Sequence, residues 1–262
     1  MLDFSIATVD AGNVDELGFF CVKNRKHIGH VAKSSWLEKR FKEGMRIKLL
    51  ITKEGKQAGF LEYVLGEYTW RAVDARDYLM IHCLWVNSKE SPYKGMASAL
   101  LQDCIHDAEE SGKAGVAVVT SDGPWMASKA VFLKNGFEQV SEASPHYQLL
   151  ARQTRAGPLP SFPQNWAERL DEFQDLRLTY TNQCPYIGKA VSELPPVAEQ
   201  HGIPLQLIEM TDAAEARESM PSPYGVFSLG YEGRLLADHP ISATRFRNIL
   251  QNELGLKPID DG

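Results

Sequence analysis

One stretch limits the possible folds more than any other: YLMIHCLWVNSKESPYKGMASALL, residues 78–101. Its apolar opening, 78–86, is too short to span a membrane and has the length and the β-branched and aromatic content of a buried strand. Asn87, Ser88, Ser91 and Pro92 then break the pattern, and from Met96 apolar residues return at helical spacing as Leu100, Leu101, Cys104, Ile105 and Ala108. A helix therefore opens near Gly95. The first N–H groups of a helix lack intrahelical partners and lie at the positive end of its dipole. The loop Tyr93, Lys94, Gly95, Met96, Ala97, Ser98 thus predicts an anion cradle. Gly95 and Ala97 leave a phosphate room to reach the amides.

Strands and helices alternate on both sides of this unit. Residues 4–9 alternate as a first strand, and Asp10 or Asn13 is placed to cap a short helix carrying Leu17, Phe19 and Phe20. Strands at 45–52 and 57–65 flank Lys53-Glu54-Gly55-Lys56, a hairpin turn. After the helix at 98–111 come a strand at 114–121, a helix at 125–135 stopped by Gly136, and a hairpin of 137–140 with 147–151. The remainder predicts a short helix at 165–173, a strand at 176–181, a helix opening at Cys184 and ending near 193, and a strand at 205–210. A helix at 213–219, strands at 226–229 and 235–237, and a helix at 243–254 complete it.

Charge and proline locate a boundary in this series. Residues 1–152 carry 19 Lys and Arg against 19 Asp and Glu, whereas 153–262 carry 9 against 15, so the net charge of −6 belongs to the second part. Eleven of the 14 prolines lie there too, and GPLPSFPQ at 157–164 reads as a linker. We expect a domain at 1–152, a proline-rich linker and short helix at 153–172, and a second domain at 173–262; 262 residues suffice for two cores. Cys21, Cys83, Cys104 and Cys184 form no CxxC pair and no metal-ligand spacing, so no metal site is expected. The N-terminus lacks a basic start and an apolar run, and no long apolar stretch follows. The expectation is a cytoplasmic protein with neither membrane nor nucleic acid as a partner.

The strand, the x-x-G-x-A loop, the helix at 98–111, the next strand and helix, and the dipeptide Gly136-Phe137 resemble the acetyl-coenzyme A core of the GNAT superfamily of N-acetyltransferases. With the motifs HCLWV and TNQCPY, the whole chain is similar to the YoaP-type members, in which a thioredoxin-like module follows. The resemblance implies an α/β protein: an acyl-CoA N-acyltransferase fold, with a mixed twisted sheet flanked by helices, and then a thioredoxin-like domain. Cys184 would open its first helix and Pro223 would occupy the cis-proline position. The activity implied is acetyl transfer from acetyl-CoA to the amine of a small acceptor. Pantetheine would pair with Leu84, Trp85 and Val86, and the diphosphate would lie on Tyr93 to Ser98. The chain departs from the family pattern at Pro92, where an Arg or Gln is usual, at Trp125, where an Asn is common, and at Phe132. That last position, on the cofactor site, usually holds a tyrosine acting as general acid, and a phenyl ring has no proton to give.

Three side chains are candidates for the chemistry. Glu62 interrupts an apolar strand, as either a solvated residue on an open face or a carboxylate beside the acceptor amine. His82, with a reference pKa of about 6.5, is either a base or a hydrogen-bonded core residue. In a regular strand Met80, His82 and Leu84 share one face and Ile81, Cys83 and Trp85 the other, which separates His82 from Cys83. Cys184, at a helix start, is expected to favour the thiolate. Ile187 holds the resolving position, leaving mixed-disulfide, sensing or packing roles. Cys21 lies beside Lys23 and Arg25, which lower a thiol pKa, while Cys83 and Cys104 are expected as small hydrophobes. From 21 to 56 there are 11 Lys and Arg against 3 Glu: a solvated helix face, a wall attracting an anionic acceptor, or a dock for the acidic second part. Two functions stay open, an acetyltransferase and a coenzyme A-binding thiol sensor that works through Cys184 without efficient transfer. A homodimer is compatible with either.

Overall fold

The computed structural model describes residues 4–87 and 95–259. The first sheet is built from β1 (Phe4–Val9), β2 (Arg46–Thr52), β3 (Gln57–Leu65), β4 (Tyr78–Val86), β5 (Gly115–Ser121), β6 (Glu138–Ala143) and β7 (Tyr147–Gln153). Its helices are α1 (Val14–Leu17), α2 (Ile28–Arg40), α3 (Met96–Glu110) and α4 (Lys129–Leu133). The strand order is β1-β2-β3-β4-β5-β7-β6, with β4 and β5 parallel and every other pair antiparallel. It is a mixed sheet, and helix α3 makes the crossover between its parallel pair, β4 and β5.

A second sheet follows through α5 (Trp166–Asp171), β8 (Arg177–Tyr180), α6 (Ile187–Gln200), β9 (Gln206–Glu209), α7 (Ala213–Ser219), β10 (Phe227–Tyr231), β11 (Arg234–Ala237) and α8 (Ala243–Asn248). Its order is β11-β10-β8-β9, with β8 and β9 parallel and the other pairs antiparallel.

The two faces of the first sheet meet different neighbours. On one, α3 buries Met96, Leu100, Leu101, Cys104, Ile105 and Ala108, the stripe its periodicity predicts, against Leu61, Leu79, Ile81, Val116 and Leu150. On the other, α2 contributes Trp36 and Leu37 to a cluster that runs without a break into the second sheet, taking in Leu178, Ile187, Phe227 and Leu229. The chain between β3 and β4 belongs to this second face: Trp70, Ala72, Val73 and Ala75 are buried, and Asp74 and Ser161 exchange backbone hydrogen bonds of 2.9 Å. The Cα of Gly225 lies so close to the Trp70 and Arg71 backbone that no side chain would fit.

Several local expectations change. The helix expected at 125–135 is only α4, because Trp125 has a φ of 70° and the Ser128 side chain caps the chain at Ala130. Helix α6 starts at Ile187 rather than at Cys184, and it continues through Pro195 and Pro196 to Gln200 because Leu194, Val197 and Ala198 keep its apolar face buried. The cis peptide bond among the described residues is Ser144–Pro145, so the cis assignment for Pro223 does not hold.

Candidate active site

The site begins where two strands part. β4 and β5 pair only from Tyr78↔Gly115 to Ile81↔Val118, yet β4 continues to Val86 and keeps its other edge on β3 as far as Gly59↔Val86. The β5-side edge of β4 is therefore open along Leu84, Trp85 and Val86. At the end of this gap α3 starts on Gly95, whose φ of 97° suits glycine and whose surroundings leave open space where a side chain would be. No side chain caps this terminus, so the Met96, Ala97 and Ser98 amides face outward from the helix start. Tyr93 and Lys94 lie outside the described residues, as does Pro92.

A bulge in β4 rearranges the side chains beside that gap. Glu62 pairs with Cys83 and Tyr63 with Ile81, so His82 is the extra residue. Met80 and Cys83 thereby reach the same core cluster, and Ile81 and Leu84 the opposite one. The expected separation of His82 from Cys83 is overturned: both line one cavity.

Behind this wall lies a buried polar network joining the two sheets. Lys33 Nζ donates to Glu62 Oε2 at 2.5 Å and to the Gln183 carbonyl at 2.8 Å, and Gln183 Nε2 donates to Glu62 Oε1 at 2.6 Å. Burial works most strongly against the Lys33 charge, but the Glu62 carboxylate together with Cys21 and Cys184 raises the lysine pKa. Both Glu62 oxygens are engaged and the residue is fully buried, which corrects the reading of it as a solvated residue on an open face and leaves no carboxylate oxygen free for the acceptor amine. The basic run at 21–56 is likewise not simply a solvated face. Lys33, Arg40 and Lys48 are buried, and they pair with Glu62, with Glu43, and with Asp103 and Asp107.

His82 is committed to the same framework. Its Nε2 accepts the Trp70 backbone N–H at 3.1 Å, so the neutral ring carries its proton on Nδ1, which has no hydrogen-bond partner and lies 3.8 Å from Glu62 Oε1. Burial, followed by the charges of Arg71 and Lys33, lowers its pKa well below the ordinary value. A ring whose one uncommitted nitrogen already bears a proton is no general base, and that assignment too is corrected. Arg71 Nη2 donates to the His82 carbonyl at 2.5 Å, and Arg71 Nη1 donates to the Tyr224 carbonyl in the second sheet.

These residues line a cavity of about 740 Å³ between the sheets, with Lys33, Arg71, His82, Leu84 and Trp85 from one side and Gln183, Cys184, Tyr186 and Tyr224 from the other. Phe20, Val22 and Trp125, also on its wall, hold positive φ angles of 74°, 52° and 70°. Such conformations cost a non-glycine residue roughly 1–3 kcal/mol and gather at functional sites. Cys21, Cys83 and Cys184 share the wall as free thiols. Burial pushes Cys21 up to about 12 and raises Cys83 and Cys184 as well; at Cys184 it outweighs the Tyr186 amide and Lys33, which favour the thiolate. The expected activation of Cys184 and Cys21 is therefore reversed.

Phe132 is fully buried against Phe137, 5.5 Å between ring centres, and so offers a cofactor no surface. Lys33, Arg71, Gln183 and Tyr224 were not singled out from sequence. Lys33 was hidden within the basic run, and the other three lie in irregular segments without periodicity. Among the described residues no cluster of His, Cys, Asp or Glu could hold a metal ion, and no helix is long and apolar enough to cross a membrane.

A family model described as YoaP-like matches residues 204–248. The uncharacterized N-acetyltransferase YoaP of Bacillus subtilis (strain 168) is 27% identical over 245 residues, 91% of this chain and 95% of that protein. The chain is similar to both. The similarity to that protein extends over 91% of this chain and so takes in parts of both sheets. Among solved structures, the chain is similar to an acyl-CoA N-acyltransferase from Klebsiella pneumoniae subsp. pneumoniae, at 11% identity, with 58% of this chain and 99% of that one covered and a TM-score of 0.40. It is also similar to the GNAT family N-acetyltransferase YhbS of Escherichia coli, solved in complex with CoA. There the identity is 16%, the coverage 63% and 93%, and the TM-score 0.38.

Proposed function

We propose that this chain transfers an acetyl group from acetyl-CoA to the amine of a small acceptor bound between the two sheets. The observation that carries the proposal is the early end of β4–β5 pairing at Ile81↔Val118, beside a helix start whose amides are unencumbered by side chains. The likeness to an N-acetyltransferase over 91% of the chain supports it. Leu84, Trp85 and Val86 would hold the pantetheine arm through their backbone, and the Gly95, Met96, Ala97 and Ser98 amides, with Tyr93 and Lys94 before them, would take the diphosphate.

Acetyl-CoA supplies an activated acyl carbon. The amine lone pair attacks it, the C–S bond breaks, and the proton lost by the amine goes to the departing thiolate or to water. The chain's own part is to hold the amine against the thioester and to exclude water. No carboxylate lines the cavity among the described residues, and a desolvated setting favours the neutral, nucleophilic amine. Glu62 and His82 serve as frame, fixing the positions of Lys33 and of the loop that carries Arg71.

We further infer that residues 1–152 are the transferase domain and 173–262 a thioredoxin-like module, a reading supported by the β11-β10-β8-β9 order and the helix after Cys184. Its Cys184-Pro185-Tyr186 turn would roof the acceptor site. The raised thiol pKa values favour this structural use over a thiol sensor.

Thermal unfolding with and without acetyl-CoA tests the proposal. Saturation at about 100 times Kd should stabilise the protein by about 2.7 kcal/mol, a rise of several degrees in Tm. Gly95→Glu, which sets a carboxylate over the cradle, should abolish the rise. An unchanged Tm in the native chain at millimolar acetyl-CoA would remove the basis for transfer.

A further inference from the structure

Charge at the cavity does not balance. Lys33 is neutralised by Glu62 at 2.5 Å. Arg71, only 4% exposed, meets no carboxylate among the described residues; its guanidinium donates to two backbone carbonyls and lies over the Tyr224 ring, 4.8 Å from its centre. Asp238, the acid across the sheet junction, is engaged by Tyr147 at 2.6 Å and His239 at 2.7 Å. Burying a cation without its counter-charge is costly, and the cavity that Arg71 lines contains no acidic residue among the described ones, in a chain whose net charge is −6. A guanidinium has five N–H donors, so two carbonyl bonds leave it with donors to spare. The carbonyls also fix the group in place: one comes from His82 beside the open edge of β4, the other from Tyr224 in the second sheet. Around it the walls are aromatic, with Phe20, Phe60, Trp85, Trp125, Tyr186 and Tyr224.

We propose that the acceptor is a small amine that also bears a carboxylate and an apolar body, and that Arg71 seats the carboxylate. This rests on the transferase reading and narrows it. The planar fork of arginine matches a carboxylate in two parallel hydrogen bonds, which orients a ligand as well as holding it. The bound carboxylate supplies the missing counter-charge, the aromatic walls cover the apolar body, and the amine is left to face the thioester. Because Arg71 is held by both sheets, the seat exists only when the second module is docked, which makes that module part of acceptor recognition.

Matched acceptors test this in the full chain: L-phenylalanine against phenethylamine, L-leucine against isopentylamine, and L-methionine against 3-(methylthio)propylamine, each with acetyl-CoA. The acid-bearing member of each pair should have a kcat/KM at least about tenfold higher, as expected for a charge-assisted hydrogen bond lost from the partner molecule. Arg71→Gln should erase that preference mainly through KM and leave the Kd for acetyl-CoA unchanged. Arg71→Lys, which keeps the charge but not the fork, should retain part of it. If Arg71→Gln loses its folded baseline, the preference of the native protein decides alone. Decarboxylated amines acetylated as well as the acids would overturn the carboxylate seat and leave the transferase reading standing. If acetyl-CoA binds but no amine is acetylated, the transferase reading fails. The seat is then judged by quenching of Trp85 and Trp125 fluorescence with L-phenylalanine against phenethylamine: preferential binding of the acid upholds it, and equal or no response at millimolar concentration overturns it.

Discussion

The two faces of the first sheet are closed in opposite ways. The α3 face is closed by the helix that follows β4 in the chain, and the charge it buries, Lys48, is paired toward solvent with Asp103 and Asp107, whose side chains are 29% and 26% exposed. The α2 face is closed by residues 121 to 153 positions away in sequence, through Gln183 on Glu62, the Gln183 carbonyl on Lys33, and Tyr224 on Arg71. The first solution rests mainly on apolar burial, at roughly 1.5–3 kcal/mol for each large apolar side chain. The second adds buried charge, which stabilises little overall but is severe on misalignment, because an ion that loses its partner stays in a dry site. Apolar packing therefore seals the sheet where position matters little, and charge registers the second module where a cavity must form.

Breaking the charge should have the largest effect. Lys33→Met strands the fully buried Glu62 and should cost about 3–5 kcal/mol in urea unfolding, with the double change Lys33→Met, Glu62→Leu recovering most of it. A cost below about 1 kcal/mol for the single change would mean that this face, too, is merely apolar. A smaller loss is expected where the modules touch without side chains. Gly29 lies against the Pro185 backbone and 3.2 Å from the nearest Cβ position of Gly188, so Gly29→Ala forces α2 and the α6 entrance apart. We expect about 1–3 kcal/mol and faster proteolysis within 153–172. Gly112→Ala, just past α3 with open space around it, should cost only the strain of a φ of 66°, about 1 kcal/mol. Equal effects at the two glycines would erase the contrast between the faces.

That contrast also explains what could be read from the sequence. The α3 face was legible because a 3.6-residue period and a strand of matching length are local signals: Leu100, Leu101, Cys104, Ile105 and Ala108 are all buried as expected. Of the proposed cofactor edge, Leu84, Trp85 and Val86 lie on β4 beyond its last pair with β5, and Gly95 lies at the start of α3, the local elements that the sequence pattern implies. The roles of Glu62 and His82 were not legible, because each depends on partners brought in by tertiary structure. One unpaired residue in β4 also shifts the alternation on which the assignment of faces relied. Cys184 was misjudged for a related reason. The helix starts only at Ile187, three residues beyond the thiol, and at Cys184 desolvation outweighs the Tyr186 amide and Lys33, which favour the anion.

The mildest test of the α2 face is its response to acid. His82 is buried as the neutral ring with a pKa well below 6.5, whereas in the unfolded chain it titrates near about 6.5. Below that value the unfolded state binds a proton that the folded state refuses, so stability falls as the pH drops from about 6.5 toward the folded pKa and is unaffected above it. The loss amounts to about 1.4 kcal/mol for each unit of depression. His82→Gln keeps an acceptor at the position of Nε2 for the Trp70 amide but cannot titrate. In urea melts at pH 7 the variant should differ little from the native chain, while between about pH 6.5 and pH 5 its stability should fall less steeply. The α3 face, whose described core contains no histidine, should contribute nothing to that slope. An identical slope in the variant would mean that the ring takes up its proton inside the fold, with Glu62 close enough to receive it, and the base assignment set aside above would return.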